Sequence, residues 1–457
     1  MSDDPNPNAV LHPNGRINAN VLKAQYAVRG KIYEEAMKRK AAGKRVIFTN
    51  VGNPHSLGQK PITFPRQVLA CVNYPELLDT PEAKTLFPAD VLARSRTYLD
   101  ALPGGTGAYQ DSRGNMAIRE EVAAFITNRD GHPADPNNVF LADGASPAIQ
   151  NVLKMLIRDN EDAILLPIPQ YPLYSAAVVA LGGKVVGYEL DESLDWALDI
   201  DNLSKRVASA RQHGLTVRAL CVINPGNPTG TVLSRANMES LIRWCVKEHV
   251  VLLADEVYQY NIYGSKPFVS FKKVAVEMKE AAANLEICSF HTVSKGVFGE
   301  CGRRGGYVEL FNIHPGAQAQ LYKLFSVNLS ANVDGQLMMG LMCNPPKEGE
   351  PSYPLYKSEV DAIFGSLKRR ALMASEAFNK LPFISCRLVE VGHCISQDMM
   401  CEAWVCCARR LLPSRLTLCL LPYFAYCLSL VGSSIRLPPD PAQPQGRGSC
   451  RSRGLRS

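Results

Sequence analysis

Seven apolar runs, each bounded by turn residues, recur through the middle of the chain, at residues 139–142, 163–168, 185–190, 219–223, 250–254, 286–290 and 306–310. Short runs with few polar interruptions read as strands buried on both faces, not as half-exposed alternating ones. Between them lie segments with apolar positions every three or four residues, clearest at 147–157, 235–248 and 273–283, which read as helices. The same period runs through residues 21–40, and 45–50 reads as a short strand. Strands alternating with helical crossovers predict an α/β fold, with a large domain whose mostly parallel seven-stranded sheet is covered by helices. Ligands on such sheets bind beyond the carboxyl ends of the strands, so the residues that follow each run are where chemistry belongs.

The 457 residues are 46% hydrophobic and 20% charged, a globular composition that excludes collagen, coiled coil and wholesale disorder. The formal charge of +7 is concentrated late, since residues 391–457 hold eight Arg and no Lys against three acids. The body therefore offers no basic face for nucleic acid. Seven of the 14 cysteines fall in that same stretch, and the sparse, unpatterned seven in the body suit a reducing compartment. The first 20 residues contain two Asp and no apolar run, so neither a secretory signal nor a transit peptide is expected, and the protein reads as cytoplasmic. Residues 416–435 are uncharged and long enough to span a bilayer, but Pro422 and the Gly432-Ser433-Ser434 end favour a tail over a membrane helix. Residues 437–457, rich in Pro, Gly, Arg and Ser, read as disordered. His393, Cys401, Cys406 and Cys407 lack a paired C-x-x-C spacing, and no metal site is expected.

Four strand ends carry unusual residues. After the first run come Asp143-Gly144-Ala145-Ser146-Pro147, with Ser146 at a helix cap and Pro147 in the first turn; the free N–H groups of Ala145 and Ser146 suit an anion, or simply a capped helix. Asn224-Pro225-Gly226-Asn227-Pro228-Thr229-Gly230 makes a rigid loop from which Asn227 reaches a ligand oxygen or bonds its own turn. The run 250–254 ends in Asp255, a carboxylate that needs a cation such as a protonated ring nitrogen, or caps the next turn. Tyr258, three residues on, reaches the same ligand or is a core aromatic with a wet tip. Then come His291-Thr292-Val293-Ser294-Lys295-Gly296 and Arg303-Arg304. A lysine at a sheet's carboxyl edge, near an anion site and a carboxylate, has the setting a Schiff base needs, although a single lysine on such a turn is ordinarily solvated.

Taken in order, NVGNPHSLGQKPITFPRQVLA, GAYQDSRG, ADGASPAI, PIPQYPLYS, NPGNPTG, ADEVYQ, SFHTVSKG and ECGRRGGY resemble the class I/II aminotransferases, pyridoxal-phosphate enzymes of fold type I, over about residues 15–390. Residues 59–64 point to the alanine branch of that family. The resemblance implies that Lys295 carries pyridoxal 5'-phosphate covalently and later shuttles a proton. It implies that Asp255 partners the ring nitrogen, and that Tyr258 and Asn227 donate to the ring oxygen. Ala145, Ser146, Thr292 and Arg304 resemble the phosphate cradle, with Ser294 a further candidate, and Tyr171 the residue stacked on the ring. Tyr109 resembles the tyrosine that reaches the cofactor phosphate of a second subunit, which implies a homodimer. Arg303 departs from the aromatic residue common at its position. The implied substrates are an amino acid and a 2-oxoacid, with alanine and 2-oxoglutarate giving pyruvate and glutamate.

The implied layout is an N-terminal arm and part of a small domain at 1–60, the large cofactor-binding α/β domain at 61–330, the start of a small C-terminal domain at 331–390, and a tail at 391–457. Relatives continue past residue 390 with a small α/β domain whose arginine grips the substrate carboxylate; here VGHCISQDMMCEAWVCC follows, so the tail reads as non-homologous and transamination as weakened. Other readings are a glutamate:glyoxylate-type exchange, a cyclopropane-forming elimination disfavoured by residues 59–64, an inactive isoform that acts by dimerising, and a membrane-anchored form.

Overall fold

The apolar runs become strands because Val, Ile and Leu leave water on both faces of the pleat at once. In the computed structural model, which describes residues 11, 17–26, 30–46, 48, 52–380 and 386, they are β1 (Val139–Ala142), β2 (Asp162–Ile168), β3 (Lys184–Asp191), β4 (Ala197–Leu198), β5 (Thr216–Ile223), β6 (Val251–Asp255), β7 (Ile287–Thr292) and β8 (Gly306–Phe311). They form one sheet in the order β1-β8-β7-β6-β5-β2-β3-β4. β3, β2, β5, β6 and β7 pair in parallel, β8 runs antiparallel between β1 and β7, and β4 is antiparallel to β3. All seven expected strands are present; the eighth, β4, is two residues long and leaves no period to detect.

The helices are α1 (Ala19–Lys23), α2 (Lys31–Ala41), α3 (Thr63–Asn73), α4 (Ala83–Leu86), α5 (Ala89–Ala101), α6 (Met116–Asp130) and α7 (Ala145–Leu156). They continue as α8 (Leu173–Ala180), α9 (Ile200–Gln212), α10 (Arg235–Glu248), α11 (Phe271–Met278), α12 (Pro315–Ser326), α13 (Val333–Cys343) and α14 (Tyr353–Asn379). Period-two alternation splits the sheet between two cores. Ile164 and Leu166 of β2 pack with α7, α8 and α12, while Ala163 and Leu165 face α9, α10 and α11. A third cluster, built from α3, α5, α6 and α13, lies against Leu141 and Tyr307 at the β1–β8 end.

The helical period at 21–40 divides into two short helices, because Ala24 turns extended and Gly30 takes up the cap of α2. Of residues 45–50, Arg45, Val46 and Phe48 are described and none lies in a strand. No described helix is long and apolar enough to cross a membrane. Residues 391–457, which include the uncharged stretch 416–435, His393 and Cys401, Cys406 and Cys407, lie outside the described residues.

Behind the β6–β8 end sits a buried group of charged residues. Lys272 of α11 is paired with Glu309 of β8, their side chains 5% and 3% exposed. Glu256 accepts the Phe271 N–H at 2.9 Å and lies 3.8 Å from Arg129. Burial pushes the Glu256 carboxyl up to about 8, against the pull of Arg129.

Two expectations follow from these charges. Lys272→Met, which strands Glu309 in the core, should lower unfolding stability by about 3–5 kcal/mol in urea, and a Lys272→Met/Glu309→Leu double variant should regain most of it. Because the folded value of Glu256 lies above its ordinary 4.5, its contribution to stability is full below that pH and is lost as pH rises through about 8. Melting temperatures of Glu256→Gln across that range should fall less steeply than those of the parent protein.

Candidate active site

The parallel register sets Ile223 beside Asp255 and Asp255 beside Phe290, so β5, β6 and β7 end together at one edge. Asp255 closes a strand with no other polar residue and is 4% exposed. Its Oδ2 accepts the Tyr174 hydroxyl at 2.8 Å and its Oδ1 the Val257 N–H at 3.3 Å. Burial raises the Asp255 carboxyl above its ordinary value, while Tyr174, Val257 and the charge of Lys295 pull it down. The carboxylate is thus held in place but short of positive charge.

Three further predicted residues converge beside it. Asn227 donates through Nδ2 to the Tyr258 hydroxyl at 3.1 Å, and its buried Oδ1 has no partner within the protein. The Lys295 ammonium stands 5.1 Å from the centre of the Tyr258 ring. The turn after Lys295 is pinned by the Gly296 N–H, which donates to Asn261 Oδ1 at 2.7 Å.

The anion side is built from the start of α7. Gly144, at φ 91 and ψ 172, is the cap, so Ala145 and Ser146 open the helix and Ser146 is not the cap expected from sequence. Their N–H groups belong to the first turn, which has no intrahelical acceptors. Arg304, in the left-handed region at φ 57, donates to the carbonyls of Asp143 at 3.0 Å and Cys301 at 3.1 Å. A Cβ on Gly144 would meet that guanidinium at 2.5 Å, so glycine is what lets the arginine lie across the loop. A Cβ on Gly306 would stand 2.6 Å from the Gly144 carbonyl carbon, which seats the first residue of β8 directly under the same loop. Thr292 donates to the Gly305 carbonyl at 2.7 Å and accepts the Ser294 N–H at 3.2 Å. Arg303 points elsewhere and pairs with Asp334 at 2.9 Å.

Tyr171 follows β2, and its hydroxyl lies 3.1 Å from that of Tyr26, just past α1. Tyr109 is 77% exposed. Sequence reading missed Tyr174, Asn261 and Tyr26. Tyr174 sits in an apolar helix where a tyrosine reads as core, and Tyr26 is 145 positions from its partner. Among the described residues, no group of His, Cys, Asp and Glu has a metal-binding arrangement.

The set fits pyridoxal phosphate on its own geometry. A buried carboxylate short of a cation suits a protonated ring nitrogen, the Asn227 Nδ2 amide and the Tyr258 hydroxyl bonded to it are donors that suit a ring oxygen, and the open helix start with Arg304 suits a phosphate. Comparison with known proteins agrees. The family model for aminotransferases of class I and II matches residues 78–313. Glutamate–glyoxylate aminotransferase 1 of Arabidopsis thaliana is 52% identical over 376 residues, spanning 82% of this chain and 78% of that one. Alanine aminotransferase 1 of Homo sapiens is 46% identical over 390 residues, covering 82% and 77%. The solved structure of an alanine aminotransferase from Pyrococcus furiosus superposes with a TM-score of 0.66 at 22% identity, over 82% of each chain, and shows the shared fold. The chain therefore belongs to the class I and II aminotransferases, the pyridoxal-phosphate enzymes of fold type I.

Proposed function

We propose that this chain exchanges an amino group between L-alanine and 2-oxoglutarate, with pyridoxal phosphate carried on Lys295. The observation that carries the reading is the convergence of Lys295, Asp255, Tyr258 and the unpartnered amide oxygen of Asn227 at one sheet edge. Alanine aminotransferases among the relatives, at 46% to 48% identity, support the substrate pair. The 52% identity to a glutamate–glyoxylate aminotransferase supports glyoxylate as a second acceptor.

Once bound, the cofactor supplies an electron sink that weakens the C–H bond beside the substrate's amino group. The protein's part is placement and proton handling. Lys295 Nζ would hold the cofactor, and its amine is the base that would take and return the substrate's α-proton. Asp255, ionised, keeps a proton on the ring nitrogen, and Tyr174 fixes the orientation of that carboxylate. Tyr258 and Asn227 hold the ring oxygen. The N–H groups of Ala145 and Ser146, with Thr292, Ser294 and Arg304, hold the phosphate. Tyr171 stacks on the ring, and Tyr26 steadies Tyr171 through its hydroxyl. The exposed Tyr109 supports a homodimer in which that side chain reaches the partner's phosphate. The seven described cysteines are all free, which supports a reducing compartment such as the cytoplasm.

Purified with pyridoxal phosphate, the protein should show the visible absorbance of a lysine-bound cofactor, and Lys295→Ala should lack it; a band that survives the substitution refutes the assignment of Lys295. L-Alanine should convert that band to the aminated cofactor's near-ultraviolet absorbance. Conversion by glutamate but not by alanine would select the glyoxylate-type reading. Tyr26→Phe should raise the cofactor's dissociation constant about threefold to tenfold, as loss of a hydrogen bond worth roughly 0.5–1.5 kcal/mol implies. Equilibrium dialysis against the cofactor measures that change.

A further inference from the structure

The turn that follows β6 has two sides. Residues Asp255 and Tyr258, three apart, face the cofactor region, whereas Glu256 and Gln259, also three apart, face the opposite way into the buried charged group. That rear side is gripped by one residue of α6. Arg129, with its side chain 13% exposed, makes a two-bonded fork to Asp130 at 2.8 and 2.7 Å. Its remaining nitrogen donates to Gln259 Oε1 at 3.0 Å and lies 3.8 Å from Glu256. Gln259 then donates from Nε2 to the Glu256 carbonyl at 3.1 Å, so the arginine holds the turn's backbone through one amide. Phe125 and Phe268 flank the guanidinium at 5.8 and 5.5 Å. The neighbouring His291, boxed by Phe125, Tyr260 and Tyr307, is pushed down to about 3 by burial and then by Arg129, so it brings no charge of its own.

We propose that Arg129 is a positioning residue for the cofactor, setting through Gln259 the placement of Asp255 and Tyr258. The inference rests on the reading that those two side chains touch the ring. A planar fork suits the role, since three separate guanidinium nitrogens bond the two oxygens of Asp130 and Gln259, whereas an ammonium has a single nitrogen from which to reach all three acceptors. A displacement of a few tenths of an ångström at the turn alters how strongly Asp255 and Tyr258 favour the protonated cofactor, without removing either group.

The test is the pH titration of the visible band in the cofactor-loaded protein, with melting temperature recorded alongside. Arg129→Lys and Gln259→Leu should each move the titration midpoint by roughly 0.5–1 pH unit in the same direction. The double variant should move it little further than either alone, since the two act along one path. Midpoints that stay put while the melting temperature falls would overturn the proposal and leave Arg129 a purely structural residue. Gln259→Leu removes the two hydrogen bonds that link Arg129 to the turn and keeps the Arg129–Asp130 fork, so it decides the matter even where Arg129→Lys fails to fold. Asp255→Asn and Tyr258→Phe, run in parallel, should themselves shift the midpoint. If they do not, the reading that these side chains touch the ring fails and the proposal falls with it, whatever the Arg129 and Gln259 variants do.

Discussion

Everything in the site is arranged around a carboxylate at the end of an apolar strand. Asp255 closes β6 with no arginine or lysine bonded to it, and a buried carboxyl in that position is tolerable only while other groups share its charge. Tyr174 contributes a hydroxyl from the helix face, Val257 an N–H from the turn, and Lys295 a positive charge at longer range. What remains unmet is the requirement for a cation at contact distance, which a protonated ring nitrogen would meet. The destabilisation that an isolated domain of this kind carries is the same quantity that favours binding.

The sheet makes that arrangement possible and was largely legible in the sequence. Central parallel strands must be apolar on both faces, so they stand out as uninterrupted runs, and the polar residues that end them stand out by contrast. Asn227, Asp255 and Lys295 were visible for that reason, each a polar or charged residue placed at or after the end of an apolar run, and Arg304 because it stands just before the run of β8. Their meeting at one edge then follows from parallel register, which aligns Ile223, Asp255 and Phe290.

What stayed hidden depended on contacts across long separations. Tyr174 looks like any aromatic in an apolar helix, and only the three-dimensional packing aims its hydroxyl at Asp255. Arg129 lies at the end of a helix in a segment with ordinary surface character, yet its side chain is largely covered and bonds the turn after β6 through Gln259. The break between α1 and α2 was invisible because one periodicity runs through both, and it is the break that frees Tyr26 to meet Tyr171. The helix cap at Gly144, in place of Ser146, reflects the left-handed backbone that Arg304 requires above it.

The reversed strand β8 has a consequence for how the protein tolerates change. Because β8 runs antiparallel beside β7, the chain leaves the sheet at Thr292, passes through Lys295, and re-enters at Gly306 on that same edge. Lys295 and Arg304 are therefore borne on a single connection whose two ends are locked in neighbouring strands. A residue gained or lost between Gly296 and Arg303 changes the length of chain that separates the two. The pairing of Thr292 with Gly306 thus ties the position of Lys295 to that of Arg304.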